Sequence, residues 1–150
     1  MDVAAPVARR CGPLGQGPVT TRDDPVSDVT HDVTAVIVDY HTDDVLVQCV
    51  SSLRDNGVAS IVVVENGDEG SVPTTLLEHG VLVVSPGVNL GYGRGVNRGV
   101  AFARATPYVL ISNPDVIVHE GAVRTLVAYL DDHLDVALAG PEIRRPDGSV

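Results

Sequence analysis

The sequence predicts an α/β fold with a mainly parallel sheet and helices on both faces. The first observation is a set of short, valine-rich runs without polar alternation, as expected of strands buried on both sides; they are residues 33–38, 60–64, 81–84 and 108–111. The second observation is that apolar residues recur at helical spacing between these runs. Strands that alternate with helices favour a parallel sheet.

The first strand and the helix after it show clear boundary signals. Thr42 is expected to cap this helix, and the acids Asp43 and Asp44 suit the positive end of a helix dipole. Gly57 is a suitable helix stop. The predicted core face of the helix is Leu46, Cys49, Val50 and Leu53.

The second half continues the alternation. We predict a short helix at residues 74–79 and a longer one within residues 92–104, whose inward residues are Val96, Val100 and Ala103. A further helix at residues 120–132 places one apolar face inward, formed by Val123, Leu126, Val127 and Leu130. A fifth strand is expected at residues 136–139.

Composition limits the domain organisation and the partners. The 150 residues suffice for one domain with a core. Residues 1–32 are rich in Pro, Gly, Asp and Thr, so we expect a disordered tail before a domain at residues 33–150. The net charge of −10 gives no sign of the positive charge that favours binding to nucleic acid or to an anionic membrane. We therefore expect no nucleic-acid partner.

The chain carries no recognisable targeting or membrane-spanning segment. No apolar run approaches the roughly 20 residues needed to cross a bilayer, and the N-terminus lacks a signal-peptide core. Cys11 and Cys49 have neither metal nor disulfide-framework spacing. We therefore expect a cytoplasmic protein, with a peripheral position at the inner face of the membrane left open.

Acidic residues follow the predicted strands. Asp39, Glu65 and Asp115 each come at or after the carboxyl end of an apolar run. In an open α/β sheet these ends meet at one crevice, where ligands bind. Asp115 offers a hard oxygen ligand for a metal ion, although the sequence Asn-Pro-Asp is also typical of a turn without a ligand. For Glu65, the alternative to a ligand contact is an acid in a solvated loop.

The run from residue 89 to residue 115 carries the most specific motifs. We interpret it as a glycine loop, a helix, a buried strand and a carboxylate at the end of that strand. The loop reads Asn-Leu-Gly-Tyr-Gly-Arg-Gly-Val-Asn-Arg-Gly, and the strand ends in Leu-Ile-Ser-Asn-Pro-Asp. Glycine permits close approach of backbone to a ligand, and Arg94 and Arg98 are candidates for contact with anionic oxygen.

These motifs resemble family 2 glycosyltransferases. That family shows Asn-Leu-Gly-aromatic-Gly, then Asn-x-Gly, then Leu-x-Asn-Pro-Asp, and the nearest variant is the bacterial rhamnosyltransferase-like branch. The resemblance extends from about residue 33 to residue 148. It implies a GT-A fold and transfer of a sugar from a nucleoside-diphosphate donor to a saccharide or lipid-linked acceptor, with envelope polysaccharide assembly as the expected setting.

The resemblance also implies roles for individual residues. Asp115, assisted by Asn113, would hold Mg²⁺ or Mn²⁺ against the donor diphosphate. Glu65 stands where the family has an acid that meets the nucleotide base, and Tyr40 would pack against that base. The donor-side loop is expected to lie near the sugar and diphosphate, through Asn89, Gly91, Gly93, Arg94 and Asn97.

The sequence also bears on two alternative functions. A nicotinamide dehydrogenase needs G-x-G-x-x-G after the first strand, whereas Gly91, Gly93 and Gly95 give G-x-G-x-G after the third. Enzymes of the resembling family continue beyond the end of this chain, and no residue matches their general base, so the catalytic residue is unknown. We therefore expect a truncated domain, and a non-catalytic nucleotide-binding remnant is the alternative function.

Overall fold

The computed structural model describes residues 7–9, 33–67, 70, 72–103, 106–145 and 149. The strands are β1 (Val7–Arg9), β2 (Val33–Asp39), β3 (Ser60–Glu65), β4 (Leu82–Val84), β5 (Tyr108–Ser112) and β6 (Leu138–Ala139). The helices are α1 (Asp44–Asp55), α2 (Thr75–Glu78), α3 (Tyr92–Phe102) and α4 (Ala122–Asp132). Every predicted strand and helix within these residues is therefore found, with ends shifted by one to two residues.

The described strands form one mixed sheet in the order β4-β3-β2-β5-β1-β6. β2 lies at its centre and pairs in parallel with β3 and β5, and β4 pairs in parallel with β3. β1 is antiparallel to both β5 and β6. The predicted α/β class with a mainly parallel sheet is confirmed.

Alternate residues of the central strand divide the core between two faces. Ala35 and Ile37 pack in the larger cluster, with buried residues of α1, α2 and α4. Val36 packs in a smaller cluster with Val62 and Val109, against Val100 of α3. Because successive side chains of a strand point to opposite faces, this division places helices on both sides of the sheet, as predicted.

The N-terminal tail departs from expectation at one segment. Val7–Arg9 form β1, where disorder was predicted. Val7 is fully buried and pairs with Leu110 on one side and Ala139 on the other. Three residues are too few to show a period, so the partners on either side, rather than the local pattern, define this strand. The other residues of 1–32 lie outside the described part of the chain.

The predicted glycine loop is mostly helix. α3 begins at Tyr92, so Gly93, Gly95 and Gly99 are helical, and only residues 89–91 precede the helix. The buried residues of α3 are Gly95 and Gly99. The predicted inward residues Val96, Val100 and Ala103 are only partly buried. Glycine replaces the larger residues at the centre of the contact because it lets the helix backbone lie closer to the sheet.

Thr42 does not act as the predicted helix cap. The N-cap of α1 is Asp43, and its side chain makes no capping hydrogen bond. The Thr42 hydroxyl instead donates to Oδ1 of Asp39, at the end of β2. The predicted core face of α1, by contrast, is confirmed. In the described part of the chain, no helix combines the length and the apolar character that a membrane span requires.

Candidate functional site

The carboxyl ends of three neighbouring strands form one edge of the sheet. Asp39 of β2 and Glu65 of β3 are register partners in a parallel pair. On the other side of β2, Ile37 is paired with Ser112, the last residue of β5, and residues 113–115 follow directly. The three strand-end acids predicted to converge therefore lie at the same edge.

Glu65 is buried and holds the surrounding loops. Its Oε1 accepts a hydrogen bond from the backbone N–H of Val72 at 3.0 Å, and its Oε2 accepts one from the hydroxyl of Ser85. The side chain is 3% exposed. The expected contact between Glu65 and a nucleotide base stays a prediction.

Asp39 is a buried carboxylate with one oxygen left over. Its Oδ1 accepts from Thr42, while its Oδ2 is buried and has no hydrogen-bond partner among the described residues. The side chain is 1% exposed. Burial of a polar oxygen without a donor is costly. This oxygen is therefore an unsatisfied acceptor beside Glu65 at the proposed site.

The loop after β2 has a constrained backbone and presents an exposed ring. His41 and Asp43 have positive φ angles of 56° and 43°. Such strain in non-glycine residues concentrates at functional sites. The Tyr40 side chain is 57% exposed. The centroids of the Tyr40 and His41 rings are 4.6 Å apart, and the two rings meet edge to face. The exposed Tyr40 ring therefore lies at the rim of the candidate site, where a planar base could stack on it.

An amide pair joins the end of β3 to the start of α3. Nδ2 of Asn66 donates to Oδ1 of Asn89 at 2.9 Å, and Oδ1 of Asn66 accepts from the N–H of Leu90 at 2.8 Å. Oδ1 of Asn89 also accepts from the N–H of Gly91 at 2.8 Å. Sequence reasoning assigned no role to Asn66. Its place directly after Glu65, at the end of a predicted strand, was the available signal in the sequence.

The first turn of α3 presents several of the predicted donor-side residues. Gly91, with φ 75°, is the N-cap, and the first backbone bond of the helix runs from Gly95 N–H to Gly91 C=O at 3.0 Å. The N–H groups of the first turn have no partner inside a helix. Gly93, Arg94 and Asn97 are exposed. Gly93 and Arg94 therefore lie on the solvent-facing part of the first turn, and Asn97 lies one turn after Gly93.

The two arginines of α3 differ in their surroundings. The guanidinium of Arg98 lies over the ring of Phe102, 4.7 Å from its centroid. Because Phe102 is the last residue of α3, this contact draws the charge toward the far end of the helix. Arg94 is exposed within the first turn. Arg94 is therefore the better placed of the two for an anionic ligand.

Asp115 lies close to the start of α3. Burial, and next the negative charge of Asp115, raise the pKa of Tyr92 above its usual value. An electrostatic effect on the phenol requires the carboxylate to be near it. Asp115 itself is exposed. The charge of the predicted metal ligand therefore acts on the first residue of the helix that carries Gly93, Arg94 and Asn97.

Cys49 supports the turn that carries Asp115. Its Sγ donates to the backbone C=O of Asn113 at 3.5 Å and lies 3.9 Å from Oγ of Ser112. Burial raises the pKa of the Cys49 thiol from 9.0 to about 11, and the charge of Asp115 adds to this. The thiol therefore stays protonated and acts as a packed, weakly bonding side chain. The prediction that Cys49 lies on the core face of α1 is confirmed.

The donor set near Asp115 suits a cation shared with a ligand. The described residues contain no group of three or more His, Cys, Asp or Glu side chains able to hold a metal ion. Asp115 and Asn113 nevertheless offer two exposed oxygen-bearing side chains on one turn. Mg²⁺ commonly takes one or two carboxylates and completes its shell with phosphate and water. These residues fit that arrangement, and they do not fit an all-protein cage.

Comparison with known proteins agrees with the fold and the motifs. The family model described as Glycosyl transferase family 2 matches residues 34–149, and the chain belongs to this family. The chain is also similar to a curated N-acetylglucosaminyl-diphospho-decaprenol L-rhamnosyltransferase from each of two strains of Mycobacterium tuberculosis. The identity is 30% over 111 residues, which cover 66% of this chain and 36% of the relative. The match thus spans little more than a third of those relatives.

Proposed function

We propose that this protein takes part in glycosyl transfer from a nucleoside-diphosphate sugar to a saccharide or lipid-linked acceptor. The observation that carries the proposal is the meeting, at one sheet edge, of two kinds of group. Glu65 and the exposed ring of Tyr40 lie on the side suited to a base. Asp115 lies near Tyr92, on the side suited to a diphosphate. Membership of the glycosyl transferase family supports this reading.

Each side of the site contributes a separate task. Tyr40 offers a flat apolar surface to the base, and the Glu65 carboxylate accepts from a base N–H. Asp115 and Asn113 would hold Mg²⁺ or Mn²⁺, which supplies Lewis-acid stabilisation of the departing diphosphate. Arg94 and the N–H groups of the first turn of α3 add positive potential around the same phosphates. Together these residues would bind the donor and orient its anomeric carbon toward an acceptor.

A finer proposal concerns the sugar and the acceptor. The similar mycobacterial proteins carry a name that specifies L-rhamnosyl transfer to N-acetylglucosaminyl-diphospho-decaprenol. We extend this to the present chain as transfer of a rhamnosyl group to a polyprenol-diphosphate-linked saccharide. Such an acceptor would place the reaction at the inner face of the membrane, in cell-envelope polysaccharide assembly, with the protein peripheral to the bilayer.

Calorimetry and a transfer assay test the proposal together. The unmodified protein is expected to bind a nucleoside diphosphate, with affinity that rises when Mn²⁺ replaces a chelator. Asp115→Ala should remove most of the Mn²⁺ effect, whereas the matched variant Asp135→Ala, at an exposed acid after α4, should keep it. Equal affinity in Mn²⁺ and in chelator would contradict the metal role.

Turnover separates an enzyme from a nucleotide-binding module. Radiolabelled nucleoside-diphosphate rhamnose and a synthetic polyprenol-diphosphate N-acetylglucosamine serve as substrates. Transfer that Asp115→Ala abolishes and Asp135→Ala preserves would support the enzyme. Nucleotide binding without transfer or donor hydrolysis would support the non-catalytic alternative.

A further inference from the structure

Four hydrogen bonds around Asn66 connect the two sides of the candidate site. The backbone N–H of Asn66 donates to the C=O of Asp39 at 2.8 Å, which fixes it to the end of β2. Its side chain bonds both Asn89 and Leu90, and Asn89 in turn accepts from Gly91. The Asn66 side chain is 3% exposed. One buried residue thus joins the Tyr40 and Glu65 side to the chain that leads into α3.

The backbone determines which way both amides point. The N–H of Leu90 can only donate, so Asn66 must present its oxygen there and its NH₂ to Asn89. The N–H of Gly91 can also only donate, so Asn89 must present its oxygen to both Gly91 and Asn66. Position 66 therefore needs one acceptor and one donor. Position 89 needs only an acceptor.

We propose that Asn66 is a positioning residue of the donor site, which sets the turn at residues 89–91, and hence the first turn of α3, against the donor diphosphate. This inference rests on the proposed function. Asn66 acts through Asn89 and Leu90 and does not itself contact the ligand. The asymmetry of the amide pair makes a specific demand: a carboxylate can replace the amide at position 89 and cannot replace it at position 66.

Two variants with the same added charge test this demand. Asn89→Asp keeps an oxygen for Asn66 and for Gly91. Asn66→Asp keeps the acceptor for Leu90 but sets a carboxylate against the oxygen of Asn89. If the Asn89 amide turns to present its NH₂ to that carboxylate, the N–H of Gly91 loses its acceptor, so the turn loses one hydrogen bond in either orientation. Each adds one carboxyl group, and the two side chains are in hydrogen-bond contact, so both carboxyl groups lie in the same part of the site.

The measurements are calorimetric affinities for UDP, TDP and GDP and for the corresponding nucleosides, with Mn²⁺ present. For whichever nucleotide the unmodified protein binds, Asn66→Asp should weaken diphosphate binding at least about tenfold more than Asn89→Asp does, since a buried bond is left unmade. Nucleoside affinity should change by less than about threefold in both, because Tyr40 and Glu65 are retained. A purely structural role would weaken nucleoside and diphosphate binding by the same factor.

A further pair of variants keeps the test valid if Asn66→Asp fails to fold. Asn89 is exposed, so Asn89→Leu should fold while it removes the acceptor for both Asn66 and Gly91. Its diphosphate affinity should fall at least about tenfold further than that of Asn89→Asp, because leucine leaves Asn66 and Gly91 without an acceptor. Equal losses in the two aspartate variants, or in the two position-89 variants, would overturn the inference alone. Failure of the unmodified protein to bind any nucleoside diphosphate would overturn the proposed function as well.

Discussion

A Cβ atom built on Gly99 would lie 2.4 Å from Cγ1 of Val36 and 3.0 Å from Cγ2 of Val64. Such approaches are far below ordinary van der Waals contact, so α3 rests directly on β2 and β3 at this glycine. Gly95 lies one turn earlier, where a Cβ would be 2.9 Å from Cγ1 of Val38. The short distance between helix and sheet determines where the first turn of α3 meets the sheet edge.

Gly99→Ala should therefore destabilise the protein. Overpacking costs about 1–3 kcal/mol, against a gain of at most about 1 kcal/mol in helix propensity. The matched change Gly93→Ala, in the same helix with no neighbour within 4 Å, should leave stability unchanged or raise it. Urea unfolding of both variants measures the difference. Equal stability would mean that α3 can move away from the sheet without cost.

Because the pKa of the Cys49 thiol is raised in the folded protein, we expect a loss of stability in alkaline solution. The thiol has a folded-state pKa of about 11 against an ordinary 9.0, so the protonated form is favoured in the fold. The contribution of the protonated thiol to the free energy of unfolding is complete below pH 9. It is lost as the pH rises toward 11, because the thiol releases its proton at a lower pH in the unfolded chain than in the folded protein. Between about pH 8 and pH 10 the loss amounts to about 1 kcal/mol.

Urea unfolding across this pH range checks the effect. Cys49→Ala should be less stable than the unmodified protein at pH 8, because it removes a buried side chain. The gap should narrow by pH 10, since alanine does not titrate. A constant gap would show that the thiol does not carry the alkaline dependence.

Asp39→Asn should stabilise the fold. The change keeps an acceptor for Thr42 and removes a buried carboxylate oxygen that has no partner among the described residues. We expect a gain of about 1 kcal/mol in the free energy of unfolding, since burial of a carboxylate with only one oxygen hydrogen-bonded costs more than burial of an amide. Asp44→Asn is the control, because this exposed acid in the first turn of α1 favours the helix dipole and its loss should cost about 0.3–1 kcal/mol. A loss of stability in both variants would indicate that Asp39 has a favourable partner.

The relation between Tyr92 and Asp115 can be measured directly. Asp115→Asn should lower the pKa of Tyr92, since it removes a nearby negative charge. The pKa should stay above the ordinary value of 10.0, because burial is the larger cause of its shift. An NMR titration of the tyrosine rings, with Tyr92→Phe to assign the signal, gives the result. Asp135→Asn should leave the pKa of Tyr92 unchanged. The same change of the Tyr92 pKa in both variants would show that Asp115 has no specific effect on the start of α3.

Much of the site could be predicted from the sequence. The apolar runs show where strands end, and parallel strands bring those ends to one edge, so Asp39, Glu65 and the turn at residues 113–115 were predicted to meet. The Asn-Leu-Gly and Asn-Pro-Asp motifs added the family. The roles of Tyr40, Glu65, Asp115 and the donor-side residues toward a ligand stay predictions.

The fold class, the central strands and the edge on which the acids lie can be predicted from the sequence alone, because periodicity and strand ends are local properties of the chain. Three other features depend on tertiary packing: the insertion of β1 between β5 and β6, the use of Gly95 and Gly99 as the contact face of α3, and the bond between Asn66 and Asn89. A short strand has no period, a glycine has no side chain to mark its direction, and amides 23 residues apart meet only when helix and sheet have packed.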